Sequence, residues 1–134
     1  MHTAQQALLD RLSLDANGVP IYVQLRDQML SAIGDGRLKP GEQMPTMRQV
    51  AVALKVDLNT VRHAYGDLER QGAIVIRRAK GTYVADVPPA TDPRDREHLT
   101  EELALRAVAD ARTRGVEPAA VARRILKIVK RRGE

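Results

Sequence analysis

The apolar residues of this chain fall into helical stripes, then a short β-branched stretch, then helical stripes again. Leu8, Leu9 and Leu12 lie to one side of a short helix within residues 1–18, which Asn17-Gly18 would end. Tyr22, Leu25, Met29 and Ile33 recur at offsets 0, 3, 7 and 11 and predict an amphipathic helix. Pro20 is its expected first residue, because the N–H that proline lacks has no partner in a first turn. Asp35-Gly36 closes that helix, and Lys39-Pro40-Gly41 turns the chain.

Two shorter helices follow with matched stripes. Met47, Val50, Ala51 and Leu54 stand at offsets 0, 3, 4 and 7, and Thr46 with Gln49 spells a capping box ahead of them. Lys55-Val56-Asp57 forms a three-residue turn, with Asp57 placed to cap the next helix. Val61, Ala64, Tyr65 and Leu68 repeat the same spacing, and Gly72 supplies the left-handed residue at the end. Two such helices must cross steeply to share one core. Ile74-Val75-Ile76-Arg77 and Thr82-Tyr83-Val84 then flank the basic loop Arg78-Ala79-Lys80-Gly81, which reads as a hairpin.

Residues 86–96 hold three prolines and no periodicity, the mark of a semi-rigid linker. Beyond them Leu99, Leu103, Ala107 and Ala111 line one helix, Gly115 breaks it, and Pro118 starts another lined by Val121, Ile125, Ile128 and Val129. Two short helices hide too little surface by themselves. They need the preceding domain, each other or a second copy of the chain. The expected fold is mostly α with a small β-hairpin: a winged helix-turn-helix domain followed by a short helical dimerisation tail. Its expected divisions are an N-terminal extension over 1–18, the winged domain over 19–86, a proline-rich linker over 87–97 and a two-helix tail over 98–132.

Composition narrows the partner. The aromatic residues are Tyr22, Tyr65 and Tyr83, with no Phe or Trp. Binders of single strands stack bases on aromatic platforms, so a duplex is the better match. These tyrosines read as residues of the core or its edge. Without cysteine there are no disulfides or thiolate metal sites, which fits a reducing cytosol. No apolar run approaches the ~20 residues of a membrane span, and the N-terminus lacks the shape of a signal peptide. A cytoplasmic protein without a membrane partner is expected. The formal net charge is +5, and residues 118–134 hold six Lys/Arg against one Asp/Glu. That cluster is either a solvated helix face or a second phosphate contact. His2, His63 and His98 lack metal-ligand spacing, and no nucleophile motif or phosphate-cradling loop occurs. The expectation is a protein that is not an enzyme and has no cofactor or metal.

Polar positions on the turn-flanked helices suit DNA. Arg48 is the second residue of its helix, where a cation beside free backbone N–H groups can clamp a phosphate. Leu58, Asn59, Arg62, His63 and Gly66 lie opposite the core stripe of the following helix. Asparagine pairs with adenine and arginine with guanine, each worth ~1–3 kcal/mol of discrimination. Arg62 is the leading base reader and Asn59 the next. Leu58 would suit a thymine methyl, and Thr60 either its own helix start or a phosphate. His63 is an ordinary surface histidine or a contact. Carboxylates such as Asp67 and Glu69 read as solvated.

The stretch Pro20 to Val84 closely resembles the DNA-binding domain of the GntR family of bacterial transcription regulators. The matching pieces are PIYVQLRDQM, GRLKPGEQMPTMRQVA, LNTVRHAYGDLERQG and RRAKGTYV. A tail of about 45 residues, together with Asn59-Thr60, is similar to the YtrA subfamily, whose members carry a short dimerisation segment. The resemblance implies DNA contact for Arg48. It also implies a minor-groove or flanking-phosphate contact for the wing residues Arg77, Arg78, Lys80 and Gly81. Three positions depart from the family pattern: Lys55 and Ala79 stand where glycine is usual, and the region of Leu58 lacks a common basic residue. The last departure implies a different operator.

The resulting expectation is a homodimeric, operator-specific regulator, a repressor, acting on an inverted repeat in double-stranded DNA. A non-specific architectural DNA binder and a winged-helix protein-interaction module are the alternatives. A small-molecule effector has no separate domain to occupy. It would bind at the dimer interface or between the tail and the winged domain, or the regulator would respond only through its own abundance.

Overall fold

A computed structural model describes residues 3–87 and 91–131. They form two compact units, one within Met1–Val87 and one within Pro88–Glu134. The first contains α1 (Ala4–Arg11), α2 (Ile21–Gly34), α3 (Met47–Leu54), α4 (Leu58–Arg70), β1 (Ile74–Arg77) and β2 (Gly81–Val84). The second contains α5 (Pro93–Thr113) and α6 (Pro118–Arg131).

In the first unit the predicted stripes become one core. Leu25, Met29, Val50, Val61, Ala64, Tyr65, Leu68, Ile74 and Val84 are all buried in it. Leu8 and Leu12 are buried there too, so α1 is part of the winged domain rather than an extension to it. Its attachment is also polar. Gln28 accepts from the Ser13 N–H (3.1 Å) and donates to the Ser13 carbonyl (2.7 Å). One turn earlier, Gln24 exchanges the same pair of bonds with Asp15 at 2.9 and 3.0 Å. Two side-chain amides thus satisfy a connecting segment that has no ladder of its own. Pro20 is the residue before α2, one place earlier than predicted, and its carbonyl accepts from the Gln24 N–H.

The capping box of α3 forms on both sides: the Gln49 N–H donates to Thr46 Oγ1 (3.0 Å) and the Thr46 N–H to Gln49 Oε1 (2.9 Å). Lys55 ends α3 in the left-handed region (φ 56°), and Asp57 accepts from the Asn59 N–H to open α4. Tyr65 is completely buried, and its hydroxyl donates to the Pro45 carbonyl just ahead of α3. Burial pushes its phenol pKa up.

The hairpin is antiparallel, pairing Ile74 with Val84 and Arg77 with Gly81. The sequence pattern missed a third element in it. Residues 42–44 lie along the free edge of β2, with the Met44 N–H donating to the Thr82 carbonyl (2.7 Å) and the Val84 N–H to the Glu42 carbonyl (2.8 Å). Gly81 takes a positive φ of 115° beside this edge, and its open Cα side is filled by the amide end of the Gln43 side chain.

An ion cluster joins α2 to α4. Asp67, expected to be solvated, is approached by Arg26 Nη1 (3.2 Å), by the Arg70 guanidinium and, at 3.9 Å, by His63 Nε2. Glu69 is engaged as well, accepting from the Ile76 N–H at 3.3 Å. The Arg70 hydrogen bond, supported by Arg26 and opposed by partial burial, holds the Asp67 carboxyl below the usual carboxylate range.

In the second unit α5 starts at Pro93 with Asp92 as its cap, so residues 93–97 are helix rather than the expected linker. Residues 88–90 of that linker, and Arg132 of the expected tail, lie outside the described residues. Ala111 is buried, whereas Leu99, Leu103, Ile125 and Leu126 remain exposed.

Two stability predictions follow from these observations. Ala79 (φ 63°) and Lys55 carry a Cβ in the left-handed region, so Ala79→Gly and Lys55→Gly should each raise stability by about 0.5–1 kcal/mol in urea unfolding. A fall on both substitutions would show the turns are unstrained. Because the folded pKa of Asp67 is depressed, its contribution is present above the ordinary value near 3.8 and is lost as pH falls through the folded one. The stability gap between the wild type and Asp67→Asn should therefore be widest near neutrality and close below pH ~4. A gap constant down to pH 2.5 would contradict it.

Candidate nucleic-acid interface

The buried stripe of α4 turns its opposite face outward. Asn59, Arg62 and His63 are exposed there, within the first two turns. Arg62 Nη1 donates to Asn59 Oδ1 at 2.6 Å, joining the two leading base-reading candidates. Their pairing leaves further guanidinium N–H groups and the Asn59 amide N–H₂ for external acceptors. Leu58 and Thr60 are half-buried, so Leu58 is less available to a thymine methyl than an open surface residue would be. Gly66 is half-buried as well, its Cα side covered by the Arg70 guanidinium, to which an added Cβ would come within 3.3 Å.

His63 is more engaged than a surface histidine. Its ring stacks on Tyr22 of α2, with centroids 3.7 Å apart and planes inclined by 10°. Neither Tyr22 nor Asp67 stood out in the sequence as a neighbour of the reading face. The signal was two i,i+4 pairs, Tyr22/Arg26 and His63/Asp67, which place each pair on one side of its helix.

Arg48, at the second position of α3, is exposed, and no ion pair or hydrogen bond engages its side chain among the described residues. At the wing, Arg77 lies over the Tyr83 ring (5.4 Å to the centroid), and the Tyr83 hydroxyl donates to the Lys80 carbonyl at 3.1 Å. Tyr83 thereby braces the loop from below. Arg78 and Lys80 are exposed at its tip, while Gly81 is half-buried against Gln43. All ten candidate residues fall in the first unit. Among the described residues no group of acidic, histidine or cysteine side chains is arranged to hold a metal, and no helix is long and apolar enough to cross a membrane.

Comparison with known proteins places this geometry. Residues 21–84 match the family described as "Bacterial regulatory proteins, gntR family". The "HTH-type transcriptional repressor YtrA" of Bacillus subtilis (strain 168) is 34% identical over 101 residues, covering 75% of this chain and 78% of that protein. From the same organism, the "Uncharacterized HTH-type transcriptional regulator YhcF" is also 34% identical, over 63% of this chain and 69% of its own. Among solved structures, "YtrA from Sulfolobus acidocaldarius, a GntR-family transcription factor" superposes with a TM-score of 0.64 at 28% identity, covering 91% of this chain and 99% of that one. The "Crystal Structure of AraR(DBD) in complex with operator ORX1" reaches 0.50 at 32% identity, over 54% of this chain and 87% of that one. The exposed polar face of α4, the basic wing and these likenesses agree: the chain belongs to the GntR family, beside its YtrA-like members, and is a DNA-binding transcription regulator rather than an enzyme.

Proposed function

We propose that the protein is a repressor that binds an inverted-repeat operator as a homodimer, with α4 as the recognition helix. The exposed Asn59–Arg62 pair carries this reading. It sits at the N-terminal end of α4, the part of a recognition helix that meets base edges in helix-turn-helix proteins. In this reading Arg62 takes guanine, Asn59 takes adenine, and Leu58 and Thr60 border them. Arg48 anchors a phosphate from the start of α3. Arg77, Arg78 and Lys80 hold the flanking backbone or minor groove, where Gly81 lets the wing approach closely.

One recognition helix reads too few base pairs for an operator, and a two-fold dimer reads two half-sites about one helical turn apart. The helical unit supports that state. Leu103 is 61% exposed and Ile125 48%, a large cost for aliphatic side chains unless something covers them. A second copy covers them with the same surface, as isologous dimers do. The repressor assignment draws on the relative named as one in Bacillus subtilis.

Arg62→Ala should weaken binding to a duplex selected from a random pool by about 1–3 kcal/mol and leave random duplex nearly unaffected. Equal losses on both would show that Arg62 does not read bases. Leu103→Glu should convert the dimer to a monomer in sedimentation analysis and weaken operator binding with it. A variant that remains dimeric would move the subunit contact elsewhere.

A further inference from the structure

Beyond the residues that face the groove, the reading of α4 as recognition helix, on which this inference rests, gives meaning to a contact behind it. Tyr22 and Arg26 stand one turn apart on α2; His63 and Asp67 stand one turn apart on α4. They meet as two rungs, an aromatic stack with centroids 3.7 Å apart and an ion pair of 3.2 Å. The upper rung is unlike the core contacts around it. Tyr22 is half-buried against the core, but its partner keeps a side chain 49% exposed, adjacent to Arg62 and one turn from Asn59.

We propose that Tyr22 is a specificity-determining positioning residue of the DNA site. Its ring fixes the imidazole of His63 at the reading face, so that His63 contributes a directed contact to a major-groove base acceptor. A free histidine on a helix surface samples several rotamers and loses that freedom on binding. Stacking on a tyrosine anchored in α2 removes the loss beforehand. The second rung supports the first: Arg26 and Arg70 occupy the Asp67 carboxylate, and its nearer oxygen stands 3.9 Å from His63 Nε2, beyond hydrogen-bonding distance. No hydrogen bond to Asp67 therefore commits the imidazole, although the carboxylate lies beside it. Tyr22 lies outside the helix-turn-helix, so the preference of the recognition helix is tuned from a neighbouring element.

The test uses the full chain and the duplex recovered by selection from a random pool. Without DNA, the His63 ring protons should be shielded by the tyrosine ring in NMR spectra, lose that shift in Tyr22→Leu and keep it in Tyr22→Phe. With DNA, Tyr22→Leu and His63→Ala should each lower the ratio of selected to random affinity about threefold to tenfold. The double variant should be no worse than either single one, and Tyr22→Phe should restore the ratio. Additive losses, or equal losses on selected and random duplex, would overturn the proposal. So would unshielded His63 protons in the wild type. If Tyr22→Leu fails to fold, the ring shift of His63 in the wild type and the ratio in His63→Ala decide together, and an unshielded ring or an unchanged ratio refutes the proposal. Arg62→Ala separates the two levels: a relaxed ratio there with none in His63→Ala sinks only this inference, whereas no relaxation in Arg62→Ala sinks the reading of α4.

Discussion

Burial of one face of α4 governs the first unit. Val61, Ala64, Tyr65 and Leu68 have no solvent exposure. Full burial of a large apolar side chain is worth about 1.5–3 kcal/mol, far more than any preference of an exposed polar residue for a particular direction. The rotation of α4 is therefore set from inside, and Asn59, Arg62 and His63 are carried outward as a consequence. Tyr65 adds a directional bond. A hydroxyl with no access to water costs about 1–3 kcal/mol if left unpaired, and the Pro45 carbonyl is the partner that avoids it. That bond ties α4 to the segment entering α3, whose second residue, Arg48, faces solvent.

The wing is held by different means. Four paired positions make a hairpin too small to stand alone, and the edge of β2 is completed by residues 42–44. Tyr83 then supports the tip through its ring and its hydroxyl. Ala79 keeps a left-handed conformation there that glycine adopts without strain. The same substitution of a Cβ-bearing residue for glycine recurs at Lys55 between α3 and α4. One site precedes the exposed polar face of α4 and the other lies at the basic tip of the wing.

How much of this was legible in the sequence depended on chain separation. The capping box of Thr46 and Gln49, the cap at Asp57, the stripes of α2 to α4 and the left-handed Gly72 are local, and each was readable from residues a few places apart. Contacts between distant elements were not. Nothing periodic announces that Gln24 and Gln28 clip residues 13–15 or that residues 42–44 complete the wing, and the i,i+4 pairs Tyr22/Arg26 and His63/Asp67 do not by themselves say that they meet. Pro93 misled for a clear reason. Proline suits a linker and the first turn of a helix equally, and only the capping Asp92 immediately before it distinguishes them. At Asp67 the i,i+3 spacing to Arg70 was local, but the Arg26 partner on α2 lies 41 residues away and no local pattern pointed to it.

In the proposed complex the tip of α4 enters the major groove at two sites related by a dyad. Methylation interference on the selected duplex tests this most directly, because dimethyl sulfate marks guanine N7 in the major groove and adenine N3 in the minor groove. Premethylated guanines should block binding in two clusters about one helical turn apart, with one guanine in each cluster ceasing to matter for Arg62→Ala. Interference confined to adenines, or spread evenly without a dyad, would contradict the account.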